Sequence, residues 1–307
     1  EGKIQSIPSL IYKTGGKIPA IFSIIIIIFL VSPAPYLKIF VTIIQYIWNI
    51  PQFLIITVSL IISSFYSLRG GFSSIVRTDK FQFFLMFLGF GIMLWNLVKN
   101  YGGYNFLISN TPSHLLSIPG NYTWSTIFVW GLISMVTFID PSFFQRSFSG
   151  TNLKTVKKGI WISIFFWIIF DFMTILTGIY AATILPEIKS SPYLDLAQLI
   201  LSPLFQTIFV ISLLAIVMST IDSFIFISAY TIGMDLTYLF KPDANDNQIL
   251  KNTKSGLFIS AIIALLLTYY FKHALDMWYT IGSIAVPTLM IPVICGLYNI
   301  KIKKTLL

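Results

Sequence analysis

An all-α polytopic membrane protein is the architecture to expect from these 307 residues, on three grounds. The chain is 56% hydrophobic, with a mean hydropathy of +0.84. Only 10% of its residues carry charge, where a soluble domain has about 25%. Apolar runs long enough to cross a bilayer recur along the whole length, and they are continuous rather than alternating, which favours helices over a β-barrel.

Eight spans follow, at about 19–46, 50–67, 80–99, 124–145, 159–184, 204–236, 255–272 and 276–299. The first is long and contains Pro33, Pro35 and Lys38, so it reads either as two short helices or as one tilted, kinked helix. Charge decides between them. Basic residues collect in cytoplasmic loops. With one helix there and both ends of the chain inside, all of the 20 lysines and arginines except Lys38, Lys99, Lys189 and Lys272 fall on the inner face. Splitting the helix would invert every later loop. Lys38 then lies in the outer half of the first span, where its stem can snorkel to the interface or to a wet cavity.

This distribution also accounts for the net charge of +9 without a nucleic-acid partner. A single cysteine, Cys295, and two distant histidines offer neither a disulfide framework nor a metal cluster. No phosphate loop or acid–base cluster suggests an enzyme. The outer loop 100–123 is nearly uncharged, and SPYLDLAQLIL at 191–201 fits a short amphipathic helix along the outer face.

Three polar stretches interrupt the apolar pattern. In YSLRGGFSSIVRTDKFQ (66–82), Gly70-Gly71 predicts a tight inner turn, and Thr78 or Asp79 can cap the helix that follows. Asp79 enters the membrane, where an unpaired carboxylate is costly. In TFIDPSFFQRSFSG (137–150), Asp140 stands beside the kink that Pro141 imposes; it can pair with Arg146 or help line a transport path. In MSTIDS (218–223), three hydroxyls and a carboxylate crowd one stretch of an apolar run. Hydroxyls inside spans often bond back to the preceding turn or help helices pack. Hard cations also want oxygen ligands, and a helix break at midplane can supply them. Asp171 stands alone in its span, as a functional acid or as a protonated or hydrogen-bonded packing residue.

Taken in order, GGFSSIVRTDKFQ, DPSFFQRSFSG and MSTIDSFIFISAYTIGMDLTYLF (218–240) resemble the sodium:solute symporter family, as does PSLIYKTGGKI at 8–18. The resemblance implies a LeuT-type inverted-repeat bundle, incomplete at the N-terminus, of which this chain supplies core helices three to ten. Residues 1–307 form one membrane domain: 1–100 hold the last three helices of the first repeat, and 101–307 the outer loop and the five helices of the second. It implies sodium-coupled symport of a small organic solute by alternating access, in the cell membrane. By resemblance, Ser219 and Thr220 match the main sodium-binding pair. Asp79 and Ser223 match a second sodium site that some members hold. Ile133, Val136, Thr137 and Asp140 fall on the substrate-facing part of the bent helix; they differ from the polar and aromatic side chains of the sugar carriers, which argues against a sugar. Two readings stand beside this one: proton coupling, and a nonfunctional or sensory remnant of such a transporter.

Overall fold

The computed structural model describes residues 6–300, without the side chains of Tyr66, Leu68, Arg69 and Gly70. Among these residues the regular elements are all helical. Seven helical stretches are long and apolar enough to cross a membrane, and Gln52–Phe65 is a shorter apolar helix beside them. The protein is therefore a multi-pass membrane protein.

Helix α1 (Ile7–Gly15) is closed at its start by a reciprocal Ser6–Ser9 capping box, and Gly16 at φ +83° turns the chain directly into α2 (Lys17–Leu30). The first span is then interrupted at Val31–Pro33 before α3 (Ala34–Ile47), so the expected kink is a short break. Its flanks, Val31, Ala34 and Leu37, are fully buried. The Lys38 Nζ donates to the Thr268 carbonyl at 3.2 Å, in the last turn of α12 (Asp246–Tyr270), where a cation meets the negative end of the helix.

Helix α4 (Gln52–Tyr101) turns where the paired glycines lead one to expect it, but without the expected cap. It is two helices joined at one residue, Gly71, at φ +56° and ψ −159°. A left-handed residue suffices to redirect the chain, and only glycine adopts that conformation cheaply. Thr78 and Asp79 consequently lie inside the second helix rather than at its cap.

The next segments are α5 (Tyr104–Asn110), α6 (Trp124–Ser134) and α7 (Pro141–Phe148), with a 3₁₀ turn over Met135–Phe138 between the last two. Helices α8 (Leu153–Ile184) and α9 (Pro192–Ile200) follow, α9 being the short helix expected after the fifth span. Helix α10 (Pro203–Tyr230) runs through a π-helical turn, Thr231–Asp235, into α11 (Leu236–Phe240); α12 and α13 (Ala274–Leu297) complete the bundle.

Helix α10 is the packing centre, laid against α3, α4 and α12. One apolar cluster joins these to α8 and α9 around Phe90, Phe209 and Tyr180. A second joins α1, α2 and α13 to the other side of α10 around Ile7, Ile27 and Leu289. Small residues let α12 approach α10: a side chain at Gly256 would meet the Ala229 carbonyl at 2.7 Å, and Ser228 and Ser260 share a 2.7 Å hydrogen bond nearby. The polar residues of α10 are thus presented to its neighbours on both faces.

Candidate functional site

The break between α6 and α7 has two causes. Pro141 cannot continue a helix from the preceding turn, and the side chain of Asp140 competes for the freed amides. Asp140 Oδ1 accepts from the Ser142 amide at 2.7 Å and from Ser142 Oγ at 2.6 Å, capping α7. It therefore does not take Arg146 as its hydrogen-bond partner. Arg146, farther along α7, reaches across to α4, where Nη2 donates to Asp79 Oδ2 at 3.0 Å, the one ion pair among the described residues.

The same Nη2 donates to Ser223 Oγ on α10 at 3.2 Å, and Nη1 returns to the Ser142 carbonyl at 3.4 Å. The other oxygen of Asp79, Oδ1, accepts from Ser219 Oγ at 2.6 Å. Asp79, Arg146, Ser219 and Ser223 therefore form one network at the crossing of α4, α7 and α10. Thr220 lies at its edge and donates over a long 3.4 Å to the Ile216 carbonyl in its own helix. The Arg146 and Asp79 side chains keep 38% and 23% of their exposure, so water reaches the pair.

Three of the four residues expected to bind sodium, Asp79, Ser219 and Ser223, thus come together, but not as two separate places. Ser219 is bonded to Asp79, expected at the other site, and the guanidinium of Arg146 stands between Asp79 and Ser223. The residues expected along the substrate path divide. Ile133 is buried against Gly282 of α13, and Val136 packs on the second apolar cluster. Thr137 is exposed and donates to the Ser134 carbonyl at 3.2 Å. Asp140 is half-buried at the break.

Two acids, Asp222 of the MSTIDS stretch and Asp235, were given no role of their own from the sequence. Asp222 is only 5% exposed, and its Oδ1 accepts no hydrogen bond. Ser63, fully buried on the first half of α4, lies close enough to interact with it, yet Ser63 Oγ completes no hydrogen bond of good geometry. Asp235, in the π-helical turn, accepts from Ser6 Oγ at 2.5 Å and so ties α1 to the end of α10. Its other oxygen is buried without a partner. A π-turn at this point marks a local irregularity of the kind often found at functional sites. Asp171 is exposed on α8, outside the network.

The sequence model of the sodium:solute symporter family matches residues 14–305 of this chain. The chain belongs to that family. A sodium/pantothenate symporter of Haemophilus influenzae is 24% identical over 217 residues, covering 66% of this chain and 43% of the relative. The chain thus spans less than half the length of the curated relative that it matches. Membership makes it a member of a transporter family rather than of an enzyme family, and it puts the three polar stretches in a transport setting.

Proposed function

We propose that this symporter-family chain forms most of a carrier in the cell membrane that couples inward movement of a small organic solute to sodium, with Ser219 and Thr220 as ligands of the ion. The observation that carries this reading is where the two hydroxyl protons go. Ser219 donates to Asp79 and Thr220 to the Ile216 carbonyl. Each oxygen therefore keeps its lone pairs for a cation, and the carboxylate behind Ser219 makes that oxygen a better ligand. An ion there would draw on α10, the helix against which most of the bundle packs.

Solute would bind beside the break at 135–140, where Val136, Thr137 and Asp140 stand, with Ile133 supporting the wall against α13. Arg146 and Asp140 sit on either end of α7's first turns, so a shift of α7 on solute binding would be felt at Asp79 and hence at Ser219. Coupling of this kind is thermodynamic: each ligand favours the state that the other prefers, and alternating access then carries both across. The basic face is cytoplasmic in this reading, with both ends of the described chain on that side. Asp79 and Ser223 become available to a second ion only when Arg146 withdraws.

The test is uptake by the full-length protein in vesicles. Ser219→Ala and Thr220→Ala are each expected to raise the sodium concentration for half-maximal uptake by roughly 10-fold, the equivalent of about 1.4 kcal/mol of lost ligation. Sodium dependence that is the same in both variants as in the unaltered protein would sink the assignment.

A further inference from the structure

Between α11 and α12, at the end of the bundle away from the break at 135–140, lies a groove that the transport reading does not use. It encloses about 290 Å³, the small end of the range for ligand pockets. Its lining is divided by chemistry: Ile232, Leu236 and Phe240 are apolar, and Lys241, Asn252 and Ser255 are not. A second ammonium arrives from α2, where Lys17 Nζ stands 4.2 Å over the centre of the Phe240 ring. Asn252 gives one amide proton to Thr237 Oγ1 at 2.8 Å and keeps the other. Ser255 Oγ donates to the Lys251 carbonyl at 3.4 Å, beyond the usual range, so its hydroxyl is easily turned.

The charge of these lysines is not cancelled. Lys17, Lys241 and Lys251 make no ion pair with a described carboxylate. Asp243 and Asp246, the acids of the hairpin itself, are exposed and likewise outside any ion pair among the described residues, and Asp235 is held by Ser6. Two ammonium groups, an amide and a hydroxyl from three elements thus border one small cavity, a donor set suited to a phosphate. Along α12 the chemistry then changes in one line. Asn252, Ser255, Ile259, Ile262 and Leu266 recur at spacings of three and four and so share a helix face. That face passes from amide to hydroxyl to bare alkyl, and Ile259, Ile262 and Leu266 are exposed. A soluble anion would use only the polar part. A molecule with an anionic head and a long alkyl tail uses the whole of it.

We propose that this groove binds one anionic phospholipid, with its phosphate between Lys17 and Lys241 and a tail along Ile259, Ile262 and Leu266. Basic pockets between membrane helices recognise such headgroups by charge, and the apolar wall adds the energy of the tail. The bound lipid ties α2 to the hairpin of α11 and α12, against the π-helical turn that contributes Ile232. The site goes beyond the carrier reading and does not depend on which ion or solute is carried.

The experiment measures lipid retained by the purified full-length protein in detergent, by native mass spectrometry, during titration with phosphatidylglycerol or with phosphatidylcholine of the same tails. The unaltered protein is expected to hold one phosphatidylglycerol roughly 30-fold more tightly than phosphatidylcholine, the preference that two lysines supply. The double variant Lys17→Gln, Lys241→Gln is expected to lose that preference. Ser255→Phe, which fills the groove and leaves the charge alone, is expected to lose the bound lipid. The double variant Lys154→Gln, Lys157→Gln removes two exposed lysines from α8 and is expected to keep both. Inorganic phosphate has no tail and is expected not to displace the lipid even in large excess. Equal retention of the two lipids by the unaltered protein overturns the proposal whether or not any variant folds. So does unchanged retention in either groove variant, which moves the lipid elsewhere. An equal loss in the α8 variant would reduce the preference to the general pull of a basic surface, and displacement by inorganic phosphate would make the groove an anion site; either result sinks the lipid assignment. Sodium-dependent uptake enters none of these outcomes, so the carrier reading stands or falls separately.

Discussion

Asp79 and Asp222 stand in the same helix pair, α4 and α10, near enough to feel each other's charge, and the protein treats them in opposite ways. Asp79 is the wetter of the two, with its side chain 23% exposed, and both of its oxygens are used: Ser219 donates to one and Arg146 to the other. Asp222 is only 5% exposed, its Oδ1 accepts nothing, and the Ser63 hydroxyl facing it is likewise unbonded. Burial and compensation would normally rise together, because an unpaired carboxylate costs most where water is scarcest. Here they run against each other. The lesson is that the two acids do different work in the fold. Asp79 ties three helices together and belongs to the packing of the site. Asp222 faces Ser63 across the α4–α10 contact, with its Oδ1 left without a hydrogen bond.

Removing the charge at each position should separate these roles, most sharply at Asp79. Asp79→Asn leaves Arg146 without its acid and gives Ser219 a poorer acceptor, so thermal unfolding of the purified protein should show a loss of about 2 kcal/mol. The pair's partial exposure keeps the cost below that of a fully buried one. A loss under about 0.5 kcal/mol would mean that the network does not hold the helices together and that the contrast with Asp222 is empty.

Asp222→Asn should act in the other direction and by less. The amide keeps the shape and removes a buried, unpaired charge, so stability should rise by about 1 kcal/mol in the same assay. A fall comparable to that of Asp79→Asn would break the comparison: Asp222 would then have a partner of its own in the working protein, and its charge would be part of the ion path.

Much of the bundle was legible in the chain itself. The long apolar runs marked the spans, and Gly70-Gly71 and Pro141 marked two breaks, because hydropathy and backbone chemistry are local properties. The error at 66–82 was also local in origin. A stretch of polar residues reads as a turn with a cap after it, but one residue of positive φ, Gly71, does the turning, and Ser74 and Thr78 beyond it bond back to carbonyls of their own helix. Pairings were not legible. Arg146 stands six residues from Asp140 and 67 from Asp79, and chain distance favoured the wrong acid; the Asp140 side chain was already committed to its own helix cap. Lys38 meets Thr268 across 230 residues. The crowding in MSTIDS drew attention to α10, yet nothing in the sequence tells Ser219, which bonds to Asp79, from Asp222, which goes without. That difference is set by which helix lies opposite, and Ser63, one of four serines between positions 59 and 67, carries no mark of its place there.

Ser63→Ala is the gentlest probe of the contrast and the most direct test of that last point. Ser63 Oγ is buried, faces Asp222 and has no hydrogen bond to lose, so deleting it removes an unsatisfied polar atom and leaves only a small void. The two effects nearly cancel, and stability should stay within about 0.5 kcal/mol of the unaltered protein. Ser219 is the control on the opposite helix. Its hydroxyl is bonded to Asp79 at 2.6 Å, and Ser219→Ala should cost about 1 kcal/mol by thermal unfolding, because it strips a donor from a carboxylate. If Ser63→Ala costs as much as Ser219→Ala, the hydroxyl at 63 is satisfied in the working protein, and Asp222 with it. The α4–α10 contact would then be compensated along its whole length, and the opposition between its two acids would disappear.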